Sequence, residues 1–299
     1  MFRRLIWMAA LIWTGALHAA ALPMEYIYPP PQSGADQRLD YYWHLLRAAL
    51  QATTPKWGAF TLAPAETVMN SDRAQILLSR AQGITVLVRT TSAEREALLL
   101  PLRFPLDRGL TGYRLFLIQK PTQAKLEHVR TLEELKVFSI GQAINWVDTE
   151  ILRSAGFTVE TGSNYESLFK MLTAGRFYLF SRGVNEISKE FSEGHAANSD
   201  LAIENNLVLY YPLPRYWFFA RTPQGTQLAQ RVDEGLAILV KNGEFDRRYR
   251  EFKLQILAGV SLAGRRVIKI PNPTLSTETP LEKKEYWDTL TEELKPVRR

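Results

Sequence analysis

Residues 131–183 constrain the fold most, because helix start and stop signals alternate along them in a regular order. Thr131 and Ser163 each begin an S/T-x-x-E sequence, in which the hydroxyl and the glutamate side chain bond the exposed amides at the start of a helix. Gly156 and Gly175 each follow a short amphipathic run, and glycine suits the left-handed residue that ends a helix. The stretch therefore contains at least two short, well-delimited helices.

Short apolar runs lie between these helices, at 137–140 and 177–180, with the length of buried parallel strands. The first half of the chain shows the same alternation: apolar residues recur at helical spacing over 36–51, and 84–88 is a β-branched run. The order βαβαβ predicts an α/β fold built on mostly parallel sheets.

The order of these motifs also carries a family resemblance. LEELK, IGQ, a helix that ends in AG, then YESL and AGRFYLF resemble the second lobe of the bacterial extracellular (periplasmic) solute-binding proteins of the amino-acid type, family 3 with a type II fold. The later run LPRYWFFARTPQGTQLAQRVDEGLAILVKNGEFDRRYREF resembles the return of that family's chain into its first lobe. The similarity covers most of residues 24–255 and implies a two-lobed protein, each lobe a mostly parallel sheet flanked by helices, with no enzyme implied by the fold alone.

The resemblance implies a division of the chain into four parts. They are a signal peptide at 1–21, a first lobe at 22–115 plus 215–258, a second lobe at 116–214, and a C-terminal tail at 259–299 packed on a lobe. The runs 112–119 and 207–211 are the two expected crossings between the lobes, and together they form a hinge. The tail is rich in proline and predicts irregular structure pinned by Tyr286 and Trp287, with disorder as the alternative.

The N-terminus predicts export to the periplasm. Two arginines precede the apolar run 5–17, and the A-x-A site at residues 19–21 follows it, which is the pattern of a cleavable signal peptide. A retained membrane anchor is the alternative, although the run is shorter than the ~20 residues of a spanning helix.

Composition narrows the function further. The chain has no cysteine, so it has no disulfide, no thiolate metal site and no catalytic thiol. Without Arg3 and Arg4, 35 basic residues stand against 31 acidic ones, and this net charge of +4 is scattered rather than gathered in the basic stripe of a nucleic-acid reader. His44, His128 and His195 show no metal-ligand spacing. We expect no cofactor, no metal and no nucleic-acid partner.

The first lobe offers candidate ligand-binding residues at the end of the 84–88 run. The resemblance implies that Thr90 supplies a hydroxyl and Arg95 grips a ligand carboxylate, for which a guanidinium offers two parallel hydrogen bonds. A surface arginine paired with Glu94 or Glu96 is the alternative for Arg95. Asn70 is a third candidate, and it is also a good cap for the helix that follows it.

The second lobe offers a loop at 141–146 that links a strand to a helix. Gln142 and Asn145 are candidate hydrogen-bond donors to the ligand, and Trp146 is a candidate stacking surface. Exposed amides at a helix start attract anions, which favours contact with the acidic end of a ligand. Simple packing under the loop is the alternative for Trp146.

One departure from the family pattern concerns the ligand. Amino-acid binders place an aspartate after the strand at 177–180, where it holds the ligand's ammonium group, but this chain has Ser181 and Arg182. A second arginine would repel an ammonium group and favours an anionic, carboxylate-bearing solute. An intrahelical ion pair between Arg182 and Glu186 is the alternative. Tyr28, Trp57 and Phe60 are unranked candidates for the aromatic residue that sandwiches the ligand.

These observations predict a monomeric periplasmic protein that closes two lobes on a small polar solute. The resemblance implies delivery of the solute to an ABC-type membrane permease, or a sensor partner in its place. A binding module that only signals is one alternative. A hydrolase or hydro-lyase on the same fold is another, and it would need a carboxylate of raised pKa such as Glu66, Glu186 or Glu190.

Overall fold

The computed structural model describes residues 22–31 and 37–296, without the side chains of 195–197, so the predicted signal peptide lies outside the described residues. The strands are β1 Met24–Tyr28, β2 Phe60–Pro64, β3 Leu87–Thr90, β4 Leu100–Leu102, β5 Tyr113–Gln119, β6 Ile140–Ala143, β7 Val159–Gly162, β8 Leu179–Gly183, β9 Leu201–Ile203, β10 Leu207–Tyr210, β11 Arg215–Phe219 and β12 Arg266–Lys269. The α-helices are α1 Asp40–Ala52, α2 Thr54–Trp57, α3 Ser71–Ser79, α4 Ala93–Leu98, α5 Thr122–Leu126, α6 Leu132–Leu135, α7 Val147–Ser154, α8 Tyr165–Thr173, α9 Ile187–Ala197, α10 Pro223–Lys241 and α11 Glu244–Leu257. Short 3-10 turns lie at Leu110–Gly112 and Lys284–Tyr286.

The first lobe is built on two small sheets that share an edge. β1 pairs with β2 in parallel, and β11 lies between β3 and β4 with antiparallel pairing on both sides. The backbone amides of Thr85 and Val86 donate to the Ile27 carbonyl at 2.8 and 3.2 Å, which joins β1 to the segment that leads into β3. β1, β2 and β3 therefore end on the same side of the lobe.

Helices α1 and α10 cover this lobe, and their close approach depends on one glycine. A Cβ atom on Gly235 would lie 2.2 Å from the backbone oxygen of Ala49, so only glycine fits at this crossing. α10 begins as its sequence favours, with the Thr222 side chain accepting from the Gly225 amide at 3.1 Å and Pro223 in the first turn.

The second lobe is a seven-stranded sheet in the order β12-β10-β5-β8-β6-β7, with β9 also paired to β5. β6 is parallel to β7 and β8, whereas β5 is antiparallel to β8, β9 and β10. Six of the seven residues of β5 are buried, as expected of a strand at the centre of a sheet covered on both faces. Together the two lobes confirm the predicted α/β, two-lobed fold.

Several local predictions for 131–183 are confirmed and others shift. Thr131 forms a complete capping box with Glu134, and Gly156 and Gly175 adopt left-handed φ values of 88° and 66°. The predicted cap Ser163 is wrong, because the extended residue Asn164 accepts from the Ser167 amide at 2.8 Å and caps α8 instead. Strands β6 and β8 begin three and two residues later than the apolar runs. The Phe138 amide still bonds Leu135 of the turn before β6, whereas the Tyr178 amide before β8 bonds Ser139.

The C-terminal tail contains a strand that the sequence analysis did not predict. β12 pairs in parallel with β10 over four residues and extends the second-lobe sheet. Beyond it the tail crosses to the first lobe, where the Tyr286 ring packs on Phe104 at 4.8 Å between centroids. Within the described part of the chain, no helix has the length and apolar character needed to span a membrane.

Candidate functional site

The candidate site lies where the carboxyl ends of the first-lobe strands face the loops of the second lobe. Asn145, between β6 and α7, donates from Nδ2 to Oδ2 of Asp72 in the first turn of α3, at 2.8 Å. Arg215 at the start of β11 donates from Nη2 to Oε1 of Glu186, at 3.3 Å. These two contacts join side chains of different lobes, so the cleft between the lobes is closed at this point.

Arg95 is held at the first-lobe side of this cleft. The Ser92 hydroxyl accepts from the Arg95 amide at 3.2 Å and starts α4, directly after β3. The Arg95 guanidinium donates from Nε to Oε1 of Gln75 at 2.7 Å, and from Nη1 to the carbonyl of Thr90. Among the described residues, no carboxylate forms an ion pair with Arg95, and the alternative pairing with Glu94 or Glu96 is not seen.

Arg89 brings a second positive charge close to Arg95. It donates from Nη1 to Oδ1 of Asp72 and to the same Gln75 oxygen, each at 3.2 Å. Burial lowers the pKa of Arg95, and the charge of Arg89 adds to this shift, as does that of Arg215 more weakly. The charges of Asp72 and Glu94 oppose this shift without overcoming it, and neither carboxylate forms a direct ion pair with Arg95.

The second-lobe side carries a neutralised arginine. Arg182, buried in β8, donates from Nε and Nη2 to both carboxylate oxygens of Glu190 and lies 3.1 Å from Glu186. Its guanidinium also stacks on the Trp146 ring, 4.5 Å from the ring centroid. Burial raises the pKa of Glu186, but Arg182, Arg114 and Arg215 together outweigh it and hold this pKa at about 2. Glu186 is therefore an ionised link between the lobes.

No protein-family model matches the sequence, and no curated protein matches it either. Solved structures do match. An ancestral arginine-binding protein bound to arginine aligns with a TM-score of 0.51 at 16% identity, over 77% of this chain and 97% of that one. The chain has the fold of the amino-acid-type solute-binding proteins. The arginine-specific periplasmic binding protein of Salmonella typhimurium gives a TM-score of 0.51 at 16% identity, over 77% of this chain and 98% of that one.

A third solute-binding neighbour bears on the enzyme alternative. It is an ancestral amino-acid-binding protein described as a precursor of cyclohexadienyl dehydratase, with a TM-score of 0.51 at 12% identity, over 77% of this chain and 95% of that one. At such identities the similarity establishes the fold and leaves the ligand open.

The solute-binding fold places the predicted site residues in three groups. The first group lies at the cleft and consists of Thr90, Arg95 and Asn145. The Thr90 carbonyl accepts from the Arg95 guanidinium, and the Asn145 amide donates to Asp72. Trp146 and Arg182 lie together behind the second-lobe loop. The roles of these residues in binding stay predictions.

The third group is Gln142 and Ser181, which are fully buried side by side in neighbouring strands. Gln142 donates from Nε2 to the Ser181 carbonyl at 3.3 Å, and its Oε1 is without a partner among the described residues.

Asn70 belongs to none of the three groups, since its side chain caps α3 by accepting from the Arg73 amide at 2.8 Å. The prediction of a cap at Asn70 is confirmed, and its side-chain oxygen is already in use.

The Arg182 alternatives can be compared with this geometry. The ion pair with Glu186 is present, but Arg182 lies in β8 and Glu186 precedes α9, so the pair is not intrahelical. The carboxylates of Glu186 and Glu190 neutralise the charge of Arg182, so its attraction for an anionic solute is weak. A direct contact between Arg182 and the ligand stays a prediction, and these ion pairs weigh against it.

The candidate aromatic residues can be ranked by position. Tyr28 ends β1 on the side of the first lobe where the strands meet the cleft, and its ring stacks on Trp43 at 4.4 Å. Trp57 and Phe60 lie at the opposite end of this sheet, before and at the start of β2, and Trp57 Nε1 bonds Glu234 of α10 at 2.8 Å. Tyr28 is the candidate best placed for a ligand.

Several cleft residues were missed by sequence reasoning. They are Asp72, Gln75, Arg89 and Arg215. A usable signal existed for two of them, because Asp72 and Gln75 lie three apart just after a capped helix start and share one face of α3. Nothing local distinguishes Arg215, whose partner Glu186 is 29 residues away in the other lobe.

Proposed function

We propose that this protein binds a small anionic, carboxylate-bearing solute between its two lobes, with Arg95 as the main contact. The observation that carries the proposal is the contrast among the cleft arginines. Arg89, Arg182 and Arg215 each form an ion pair with a carboxylate, whereas none is seen for Arg95 among the described residues.

The chemistry of Arg95 suits a carboxylate. Its Nε and Nη1 are held by Gln75 and by a backbone carbonyl, which fixes the plane of the guanidinium. A ligand carboxylate would supply the direct ion-pair partner that Asp72 and Glu94 do not provide, and one charge-assisted contact of this kind contributes roughly 1.5–3 kcal/mol. It would also reverse the lowering of the Arg95 pKa by supplying an opposite charge.

The second-lobe side favours an anion over a zwitterionic amino acid. The carboxylates of Glu186 and Glu190 are bonded to Arg182, so neither is free to hold an ammonium group. Arginine and glutamine are the ligands named for one of the neighbours, which makes amino acids the reference class in any screen.

Solute binding would act on the balance between open and closed lobes. A ligand that contacts both lobes favours the closed arrangement by its differential affinity for it. We propose a monomeric periplasmic protein that passes its solute to an ABC-type permease. One structural neighbour, from Streptococcus pneumoniae, is described as the substrate-binding protein of an amino-acid ABC transporter, and a sensor partner is the alternative.

A ligand screen followed by a matched pair of variants tests the proposal. Dicarboxylates, monocarboxylates and amino acids are compared by thermal shift, and hits are measured by calorimetry. Arg95→Ala is expected to weaken the best carboxylate about 10- to 150-fold, the equivalent of one charged hydrogen bond. Arg80→Ala removes an exposed charge from the same lobe and is expected to change affinity less than twofold. Equal affinity of Arg95→Ala and the parent protein would reject Arg95 as the contact, and preferential binding of amino acids would reject the anionic class.

A hydro-lyase is the second candidate, since one neighbour is described as a precursor of a dehydratase. A general acid needs a raised pKa, and Glu186 has a lowered one, so it does not suit that role. Incubating the protein with each solute that binds and analysing the mixture by mass spectrometry separates the two functions. Loss of water from a bound solute at a rate above the protein-free control would establish the enzyme.

A further inference from the structure

The C-terminal tail forms a third connection between the lobes, beside the two expected crossings. After β12 the Ile270 amide donates to the Tyr210 carbonyl at 2.9 Å. Asn272 then donates from Nδ2 to the Pro212 carbonyl at 2.8 Å. The tail therefore runs alongside the return crossing, where the backbone would have to bend for the lobes to separate.

The tail next reaches the helix that carries Arg95. The carbonyl of Thr274 accepts from the amide of Ala93, the first residue of α4, at 2.7 Å. Ser276 donates from Oγ to Oε2 of Glu96, one residue after Arg95, at 2.8 Å. Tail residues thus bond α4 on both sides of Arg95 in the sequence.

Glu96 is the buried side chain through which this contact acts. It is 3% exposed, and it also accepts from Thr91 Oγ1 at 2.6 Å and from Arg103 Nε at 2.9 Å. Loss of the Ser276 bond leaves this buried carboxylate with one hydrogen-bond donor fewer. The tail then holds α4, the helix that carries Glu96, less firmly.

The far end of the tail is fastened to the first lobe. Trp287 packs over Gly109 so closely that a Cβ there would lie 2.6 Å from the indole ring. Asp288 accepts from Tyr249 OH at 2.6 Å and from Lys253 Nζ at 2.7 Å. With β12 in the second-lobe sheet and Asp288 on the first lobe, the tail is held at both sides of the hinge.

We propose that residues 259–296 hold the two lobes together before any solute binds and position Arg95 through Thr274 and Ser276. The direct contacts Asp72–Asn145 and Arg215–Glu186 act in the same sense. The positioning of Arg95 rests on the proposed function, whereas the restraint on the lobes does not. A protein held closed avoids the loss of apparent affinity that follows when only a fraction of molecules is competent to bind.

Distance measurements between spin labels test the restraint directly. The chain lacks cysteine, so Gln82→Cys and Lys170→Cys, at exposed positions of the first and second lobes, give a clean labelled pair. Without solute, the full chain is expected to give one narrow distance distribution. The double variant Trp287→Ala, Asp288→Ala is expected to give a broader and longer one.

A second release variant guards against unfolding. A chain that ends after Ile270 keeps β12 and loses the rest of the tail. It should show the same broadening of the distance distribution. If either folded variant keeps the narrow distribution of the full chain, the tail does not restrain the lobes and the proposal is overturned.

Affinity measurements test the positioning of Arg95. With the carboxylate selected by the thermal-shift screen as probe, releasing the tail should weaken binding about tenfold if the competent fraction falls to about one tenth. Ser276→Ala is expected to weaken binding several-fold with the label distance unchanged. Thr277→Ala, at an exposed neighbouring position, should change neither the affinity nor the label distance.

An affinity of Ser276→Ala equal to that of the parent protein would overturn the positioning role. If no carboxylate binds any form, the proposed function fails while the distance measurements still decide the restraint.

Discussion

Glu186→Gln tests the electrostatic link between the lobes. The substitution keeps the shape of the side chain but removes the charge that lies 3.1 Å from Arg182 and 3.3 Å from Arg215. Arg182 retains Glu190, whereas Arg215 is left without an ion pair among the described residues. The interactions of Glu186 lower its pKa from 4.5 to about 2, which corresponds to about 3 kcal/mol of stability at neutral pH. Breaking a buried ion pair costs a similar amount, about 3–5 kcal/mol.

The pH dependence of this difference has a definite sign. Because the folded-state pKa of Glu186 is lowered, its contribution is complete above pH 4.5 and is lost as pH falls towards 2. We expect Glu186→Gln to be about 3 kcal/mol less stable than the parent protein at pH 7. The gap should shrink by about 2 kcal/mol by pH 3.

Urea denaturation at pH 7, 5, 4 and 3 measures both quantities. Glu193→Gln is the matched control, since this glutamate lies on α9, the helix that Glu186 precedes, is 60% exposed and lies 3.9 Å from Lys189. The control should stay within about 0.5 kcal/mol of the parent at every pH. A loss below 1 kcal/mol in Glu186→Gln at pH 7, or a gap that does not change between pH 5 and 3, would refute the reasoning.

Three further substitutions test the fold and the site by urea denaturation. Asn70→Ala removes the cap of α3 and should lower the free energy of unfolding by about 1 kcal/mol with solute affinity unchanged; weaker solute binding would instead place Asn70 in the site. Gly235→Ala brings a Cβ to 2.2 Å from the Ala49 oxygen and should lower it by about 1–3 kcal/mol or more, so parent stability would contradict the close helix crossing. Tyr211→Phe removes a 2.5 Å hydrogen bond to buried Asp148 and should cost about 1–3 kcal/mol; no loss would mean that the bond is not formed.

Local signals explain what the sequence could predict. The capping box at Thr131 and the left-handed glycines at 156 and 175 depend on a few neighbouring residues, so they can be recognised without the fold. The same holds for the position of Arg95, which follows β3 closely and lies in the first turn of the helix that Ser92 caps.

Other features depend on contacts between distant parts of the chain. β12 is only four residues long and forms because the edge of β10 accepts it, which the sequence of the tail does not signal. The sequence left the pair between Arg182 and Glu186 open as an alternative, but it did not signal the pair with Glu190, which forms because the turn after β8 brings α9 back onto Arg182. The bond between Arg215 and Glu186 requires the lobes to meet, and no local pattern records that.

A crystal structure of the protein with the tightest-binding carboxylate from the screen tests the central claim most directly. We expect a carboxylate oxygen of the solute about 2.7–2.9 Å from a guanidinium nitrogen of Arg95, within reach of the second-lobe loop that carries Asn145. A solute bound elsewhere, with Arg95 still bonded only to Gln75 and Thr90, would contradict the account.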